Sequence, residues 1–155
     1  MVNLENNLLG KKQIFEVCHK FQSEYVATLK RQLQLILESA NEEKNAVEEG
    51  GDSFKEQLQI DREMYNKKLK EAIDNMELLN RIDPNKKSEA VSFGSVVVTD
   101  NQCFFVAASL GEVKVNGKNV YVISMSSPIF KAMSGKKKGE SFQFMNKEVV
   151  IKELY

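Results

Sequence analysis

Apolar residues in the first half of the chain step by three and four. Over residues 11–45 they fall at Phe15, Cys18, Phe21, Tyr25, Leu29, Leu33 and Ile36, which is one stripe on an α-helix. Lys, Gln, Glu and Ser occupy the positions between and suit a wet face. Neither Gly nor Pro interrupts the run, and Gly10 just ahead of it marks a break after a short leading segment. The pattern returns over residues 53–81 at Leu58, Tyr65, Leu69, Ala72, Met76 and Leu79, with a polar gap at Asp61 and Arg62. Asp52 or Ser53 can cap this second helix by accepting from its first free N–H groups. Pro84 ends it, because the residue before a proline avoids the α region. Two amphipathic helices joined by a short break bury their stripes on each other, most simply as an antiparallel coiled-coil hairpin. About 30 residues at ~1.5 Å each reach ~45 Å. A two-helix hairpin has a thin core, so the second half of the chain is expected to steady its base.

The texture then changes. Residues 83–89, DPNKKSE, are polar with one proline and read as a linker. Beyond it come short β-branched or alternating runs: Val96-Val97-Val98-Thr99, then an apolar stretch from Cys103 to Ala108, then Glu112 to Val115 answered by Val120 to Ser124. Asp100-Asn101 and Asn116-Gly117 are turn signals, the second a strong hairpin signal. Ser141 to Met145 and Glu148 to Leu154 form a further hairpin around Asn146-Lys147. Together these predict an antiparallel sheet. One short helix interrupts it: Ser127 fits the N-cap, Pro128 the first helical position, and Gly135 the stop. Ile129, Ala132 and Met133 can pack on the sheet. Lys136, Lys137 and Lys138 make a basic turn before Gly139, and as a bare charge run this reads first as a solvated loop. The class is therefore α+β: a helical hairpin over residues 1–82, a linker at 83–90, and a β domain at 91–155.

The break between the two helices changes the picture most. Residues 41–56, NEEKNAVEEGGDSFKE, hold Glu42, Glu43, Glu48, Glu49, Asp52 and Glu56 against Lys44 and Lys55. Gly50-Gly51 stops a helix from running through. This is a carboxylate cluster at the turn of a hairpin, expected to stand away from the body of the protein. A plain dimerisation coiled coil would use the same stripes but leaves the acidic turn without a purpose.

Composition narrows the rest. Lys+Arg and Asp+Glu number 22 each in 155 residues, so no net charge draws the chain toward nucleic acid or membrane. Cys18 and Cys103 have no zinc or disulfide spacing and read as two buried thiols of a reducing compartment. No apolar run approaches the ~20 residues that span a bilayer, and MVNLENNLLGKK lacks the order of a signal peptide. A soluble, cytoplasmic protein with no membrane contact is expected. The single His19 has no nucleophile or carboxylate near it in sequence and reads as a surface histidine. Gly50-Gly51 is no phosphate loop, since no Lys-Ser/Thr pair follows. Lys86 and Lys87, with Lys136 to Lys138, could meet RNA, DNA or an acidic protein surface.

The second half resembles the C-terminal domain of the Gre transcript-cleavage factors. The residues that carry the resemblance are Gly94-Ser95-Val96-Val97-Val98, then Ile123-Ser124, Ser127-Pro128, Ala132, Gly135-Lys136 and Gly139-Glu140, then the closing run from Val149 to Leu154. The order of parts and the total length match as well, so the resemblance covers nearly the whole chain. It implies an FKBP-like domain that docks on RNA polymerase at the rim of its secondary channel, with Ser127, Pro128 and Lys136 at the contact. It also implies a hairpin that enters the channel and a monomer that can touch nascent RNA. The tip acids would help hold a second Mg2+ and the attacking water, so that the polymerase cleaves a backtracked transcript. On this reading the chain is an accessory factor and not itself an enzyme. It has no cofactor of its own beyond the Mg2+ shared in the polymerase active centre. Mg2+ keeps several waters and accepts one or two carboxylates alongside phosphate oxygens, and two metals stabilise both the attacking and the leaving oxygen.

This chain departs from the family at the tip. The family pattern there is an Asp followed three residues later by Glu. Here Asp52 is followed at that spacing by Lys55, with Glu56 one step on, while Glu49 precedes Asp52 by three. Asp52 matches the Asp position, and Glu56 or Glu49 could supply the second oxygen donor, with Asp52 and Glu56 as the metal pair. A lysine at the glutamate position would repel a metal. A Gre-like polymerase regulator without cleavage is therefore the first alternative. A chaperone or prolyl isomerase with a coiled-coil arm is the second.

Overall fold

The computed structural model describes residues 8–45 and 51–155, with side chains from 10 to 41 and from 53 onward. Two long helices, α1 (Leu8–Asn45) and α2 (Gly51–Asn80), come first. There follow β1 (Val96–Val98), β2 (Cys103–Val106), β3 (Gly111–Val115), β4 (Lys118–Ile123), the short α3 (Pro128–Met133), β5 (Ser141–Phe144), β6 (Lys147–Val150) and β7 (Glu153–Leu154). By contacts the chain divides within the helices, into Phe21–Asp74 as one unit and Met1–Lys20 with Asn75–Tyr155 as the other.

The β-rich unit is built on a five-stranded sheet of order β3-β4-β2-β1-β7, beside a separate β5-β6 hairpin. Alternation along the central strands sorts their side chains onto two faces. Val96, Val98, Cys103 and Phe105 point one way, and Val97, Phe104 and Val106 the other. The first face packs on Ile14 and Cys18 of α1 and on Leu79 of α2, all three fully buried. The second packs on Phe130 and Met133 of α3, on Phe142 and on Ile151. Both faces being covered, β1 and β2 are buried along their whole length. That explains why these strands read as continuous apolar runs and not as alternating ones.

The expected sheet differs in three details. One pair, β2 with β4, is parallel, Phe104 lying opposite Tyr121. The remaining pairs are antiparallel. β3 turns back tightly onto β4 at Asn116-Gly117, both with positive φ, and this hairpin places β4 beside β2 in the same direction. The last hairpin turns at Met145-Asn146, with φ of 52° and 64°, one residue earlier than the composition suggested. The run after it breaks at Ile151, so that β7 leaves β6 and pairs with β1 through Val97 and Leu154.

α3 forms where expected. The Ser127 Oγ accepts from the Phe130 N–H at 3.3 Å and donates to the Ser124 carbonyl at 2.7 Å, and Pro128 takes the first turn. Gly135, at φ 77°, reverses the chain so that its N–H reaches the Val91 carbonyl. Phe130 joins Met133 as a buried anchor, with Ile129 and Ala132 beside them.

In the helical unit, the Gln22 side-chain amide donates to the Ala72 carbonyl at 2.9 Å. Further along, Ile36, Leu37 and Ala40 share a groove with Leu58 and Arg62. Partners that advance along α1 as they retreat along α2 define an antiparallel pair. From Phe21 to Asn45 is ~37 Å at 1.5 Å per residue. The seam departs from the stripe read in sequence over one stretch: Cys18 and Leu29 are buried as that stripe requires, but between them Gln22 is buried, whereas Phe21 is 48 % and Tyr25 42 % exposed. Gln22 lies about 100° from Phe21 on the wheel, and there the helix pair buries Gln22 in place of the aromatics. Gly10, expected as a break, lies inside α1 and is buried. α2 begins at Gly51, just ahead of the cap expected at Asp52 or Ser53.

Two expectations follow. Leu79→Ala should lower stability in urea by about 2–5 kcal/mol, since it empties a site closed on all sides, whereas Ile60→Ala, at an exposed position, should change it by less than about 0.5 kcal/mol. Ser127→Ala should cost about 1 kcal/mol by removing the α3 cap.

Candidate functional site

Of the three tip carboxylates, one can be placed with its side chain. Glu56 is exposed in the second turn of α2. Asp52 lies in the first turn of α2, but its side chain is outside the described residues, and Glu49 is outside them altogether, as are the side chains of Glu42, Glu43 and Glu48. Among the described residues no three His, Cys, Asp or Glu side chains converge as a metal site. Glu56 offers carboxylate oxygens of the kind Mg2+ accepts, but as a single donor. An ion held there would take its other oxygens from elsewhere. A groove of about 450 Å³ runs between the helices, lined by Ile36, Ala40, Leu58, Lys55 and Arg62. Its apolar floor comes from the helix seam and its two cations from α2.

The residues expected at a docking surface are structurally defined. Ser127 is half-buried at the α3 cap and Pro128 is exposed. Lys136 accepts from the Val91 N–H through its carbonyl at 2.8 Å. This bond, with that from Gly135 N–H to the Val91 carbonyl, clamps the linker against the turn after α3. The clamp brings together two basic segments some 50 residues apart in sequence. Lys87, Ser88 and Glu89 line one cavity of about 650 Å³ with Lys137 and Lys138. The same three residues line a second, of about 760 Å³, with Lys11, Arg81 and Lys86.

Lys11 was not singled out by the sequence, although it continues the apolar stripe four residues before Phe15. It is 2 % exposed, and its ammonium donates to the Lys86 carbonyl at 2.6 Å. Burial lowers its pKa to about 8, with the Asp83 carboxylate pulling upward and Lys86 adding to the fall. Burial alone pushes the Cys18 thiol up to about 12, which makes it an inert core group. His19 is not a free surface residue. Its Nε2 lies 3.0 Å from Asn80 Oδ1 and its ring rests against Phe15, tying α1 to the end of α2.

The Lys11 shift has a sign. Its folded value, about 8, lies below the ordinary 10.5, so between those pH values the unfolded chain holds the extra proton. The penalty is full below about pH 8 and is relieved as pH climbs toward 10.5. Urea midpoints should therefore rise from about pH 7.5 to about pH 9.5, and Lys11→Met should flatten that rise.

No family model and no curated protein matches the sequence. Among solved structures the chain is similar to the transcription factor Gfh1, at 18 % identity and a TM-score of 0.38, over 90 % of this chain and 94 % of that one. It is similar to Thermus aquaticus Gfh1 at 18 % and 0.37, over 90 % and 95 %. It is also similar to GreA factor homolog 1 (Gfh1) of Thermus thermophilus at 14 % and 0.34, over 88 % and 94 %.

Proposed function

We propose that this chain is a transcription factor of the Gre type, which binds RNA polymerase and acts through the turn between α1 and α2. The observation that carries this reading is the antiparallel helix pair, locked by Gln22 on Ala72, in which the end of α1, the start of α2 and the residues between them carry the acidic cluster of residues 41–56. The β-rich unit supplies the grip through the capped α3 and the turn at Lys136. Asp52, with Glu56 or Glu49, lends oxygen donors to Mg2+ in the polymerase active centre. That Mg2+ supplies charge neutralisation for hydrolysis of the transcript backbone. This chain's own part is to hold carboxylates on a stiff helix end, so that few side-chain rotations are lost when the ion is met.

A second reading has its own observation. Lys55 stands where a second acid would be needed, and with Arg62 it lines the groove between the helices. A lysine next to Glu56 in sequence lowers the local affinity for Mg2+. On this reading the protein occupies the polymerase channel and changes initiation or elongation without cleavage.

Added with Mg2+ to a polymerase stalled in a backtracked state, the protein should increase short 3′ RNA fragments. Asp52→Asn should reduce that increase on the order of tenfold or more while leaving polymerase pull-down intact. Pull-down without any rise in fragments would favour the second reading, and failure of pull-down would reject both.

A further inference from the structure

The two cavities at the linker draw cations from four separate places in sequence. Lys11 comes from α1, Arg81 from the end of α2, Lys86 and Lys87 from the linker, and Lys137 and Lys138 from the turn after α3. Against these six stand Asp83, Glu89 and Glu153. Two of the acids are already engaged: Asp83 Oδ1 accepts from the Asn85 N–H at 3.0 Å, and Glu153 pairs with Lys138 at 2.9 Å. Neither Arg81 nor Lys86 has an ion-pair partner among the described residues. Positive charge is thus in excess, and it lines a concave surface where low-dielectric walls concentrate the field.

Lys11 is the unusual member. An ammonium with 2 % exposure has been stripped of water, which costs several kcal/mol before compensation. It makes one hydrogen bond among the described residues, to the Lys86 carbonyl, while an ammonium carries three N–H donors. A buried cation with donors to spare lies at the wall of an open cavity, and Arg81 presents a planar fork of donors at the same cavity. This combination suits several oxygens carried on a compact, multiply charged group. The apolar part of the wall, from Ile82 and the half-buried Phe93, suits a flat organic moiety attached to that group. The larger volume, about 760 Å³, is within the range of small-molecule sites. An extended polynucleotide would run over the exposed lysines and gain little from Lys11.

We infer that the cavity lined by Lys11, Arg81, Lys86 and Lys87 binds the polyphosphate group of a small molecule of the nucleotide class. The site belongs to the β-rich unit and does not depend on the hairpin turn or on polymerase binding.

Calorimetric titration of the full chain tests this with three probes: inorganic pyrophosphate, a nucleoside 5′-triphosphate, and a single-stranded oligonucleotide without terminal phosphates. Saturable one-to-one binding of the first two, weakening as salt is raised, is the expected result. Arg81→Ala should weaken it about tenfold or more, and Lys11→Met likewise. Lys114→Ala, an exposed cation on β3 at the opposite edge of the sheet from β7, should leave it unchanged. Equal affinity for pyrophosphate and nucleotide would mean that the site reads phosphate alone. Tighter nucleotide binding would add the Ile82 and Phe93 wall. Both results support the inference. It is overturned if neither phosphate probe saturates, if the oligonucleotide binds as well as they do, or if Arg81→Ala weakens binding no more than Lys114→Ala. Arg81 is exposed, so its variant keeps the test decisive even if Lys11→Met fails to fold.

Discussion

Burial of both faces of the five-stranded sheet is the constraint from which the rest of the β-rich unit follows. β1 and β2 carry apolar side chains on each side, and each bare face would expose a row of valines and phenylalanines to water. The start of α1 and the end of α2 close one face with Ile14, Cys18 and Leu79. α3 and the β5-β6 hairpin close the other. The first turns of α1 and the last turns of α2 therefore belong to the core of the β-rich unit. The polar ties Lys11 to Lys86 and His19 to Asn80 hold the helix ends where the apolar contacts need them.

Much of this was legible in the sequence, and the exceptions have physical causes. The helices, the capped α3 and the Asn116-Gly117 turn were readable because each rests on local chemistry: periodicity, capping and φ preference. The parallel pairing of β2 with β4 was not, since a strand's composition does not record the direction of its neighbour. The path of the helix seam was misleading for a related reason. Phe21 and Tyr25 look like core by type, yet they are exposed while Gln22 is buried, and the buried amide is satisfied by the Ala72 carbonyl. A polar residue can take a buried seam position when its side chain finds a backbone partner, because the hydrogen bond offsets the cost of burying the amide. Lys11 escaped notice because a lysine on an apolar stripe reads as the end of the stripe.

The motif that prompted the Gre comparison explains itself largely as folding chemistry. Ser127 caps α3, Pro128 starts it, Ala132 packs beneath it, Gly135 turns the chain, and Lys136 and Gly139 tie the turn to Val91 and Ile151 through their backbones. These residues support the domain, and the functional reading rests instead on the acids between the helices. Candidate chemistry was thus legible as composition at residues 41–56, whereas the basic cavities were not. Their cations come from segments far apart in sequence, joined by the Lys11 bond to the Lys86 carbonyl and by the pairing of Val91 with the 135–136 turn.

The central claim is that the turn between α1 and α2 reaches the catalytic cavity of RNA polymerase. A photo-crosslinking residue placed at Ser53, beside Asp52 in the first turn of α2, tests it most directly. The account predicts crosslinks to polymerase segments that line the active centre, lost when the channel is blocked. Crosslinks confined to the outer surface of the polymerase, or none in a complex that still forms, would contradict it.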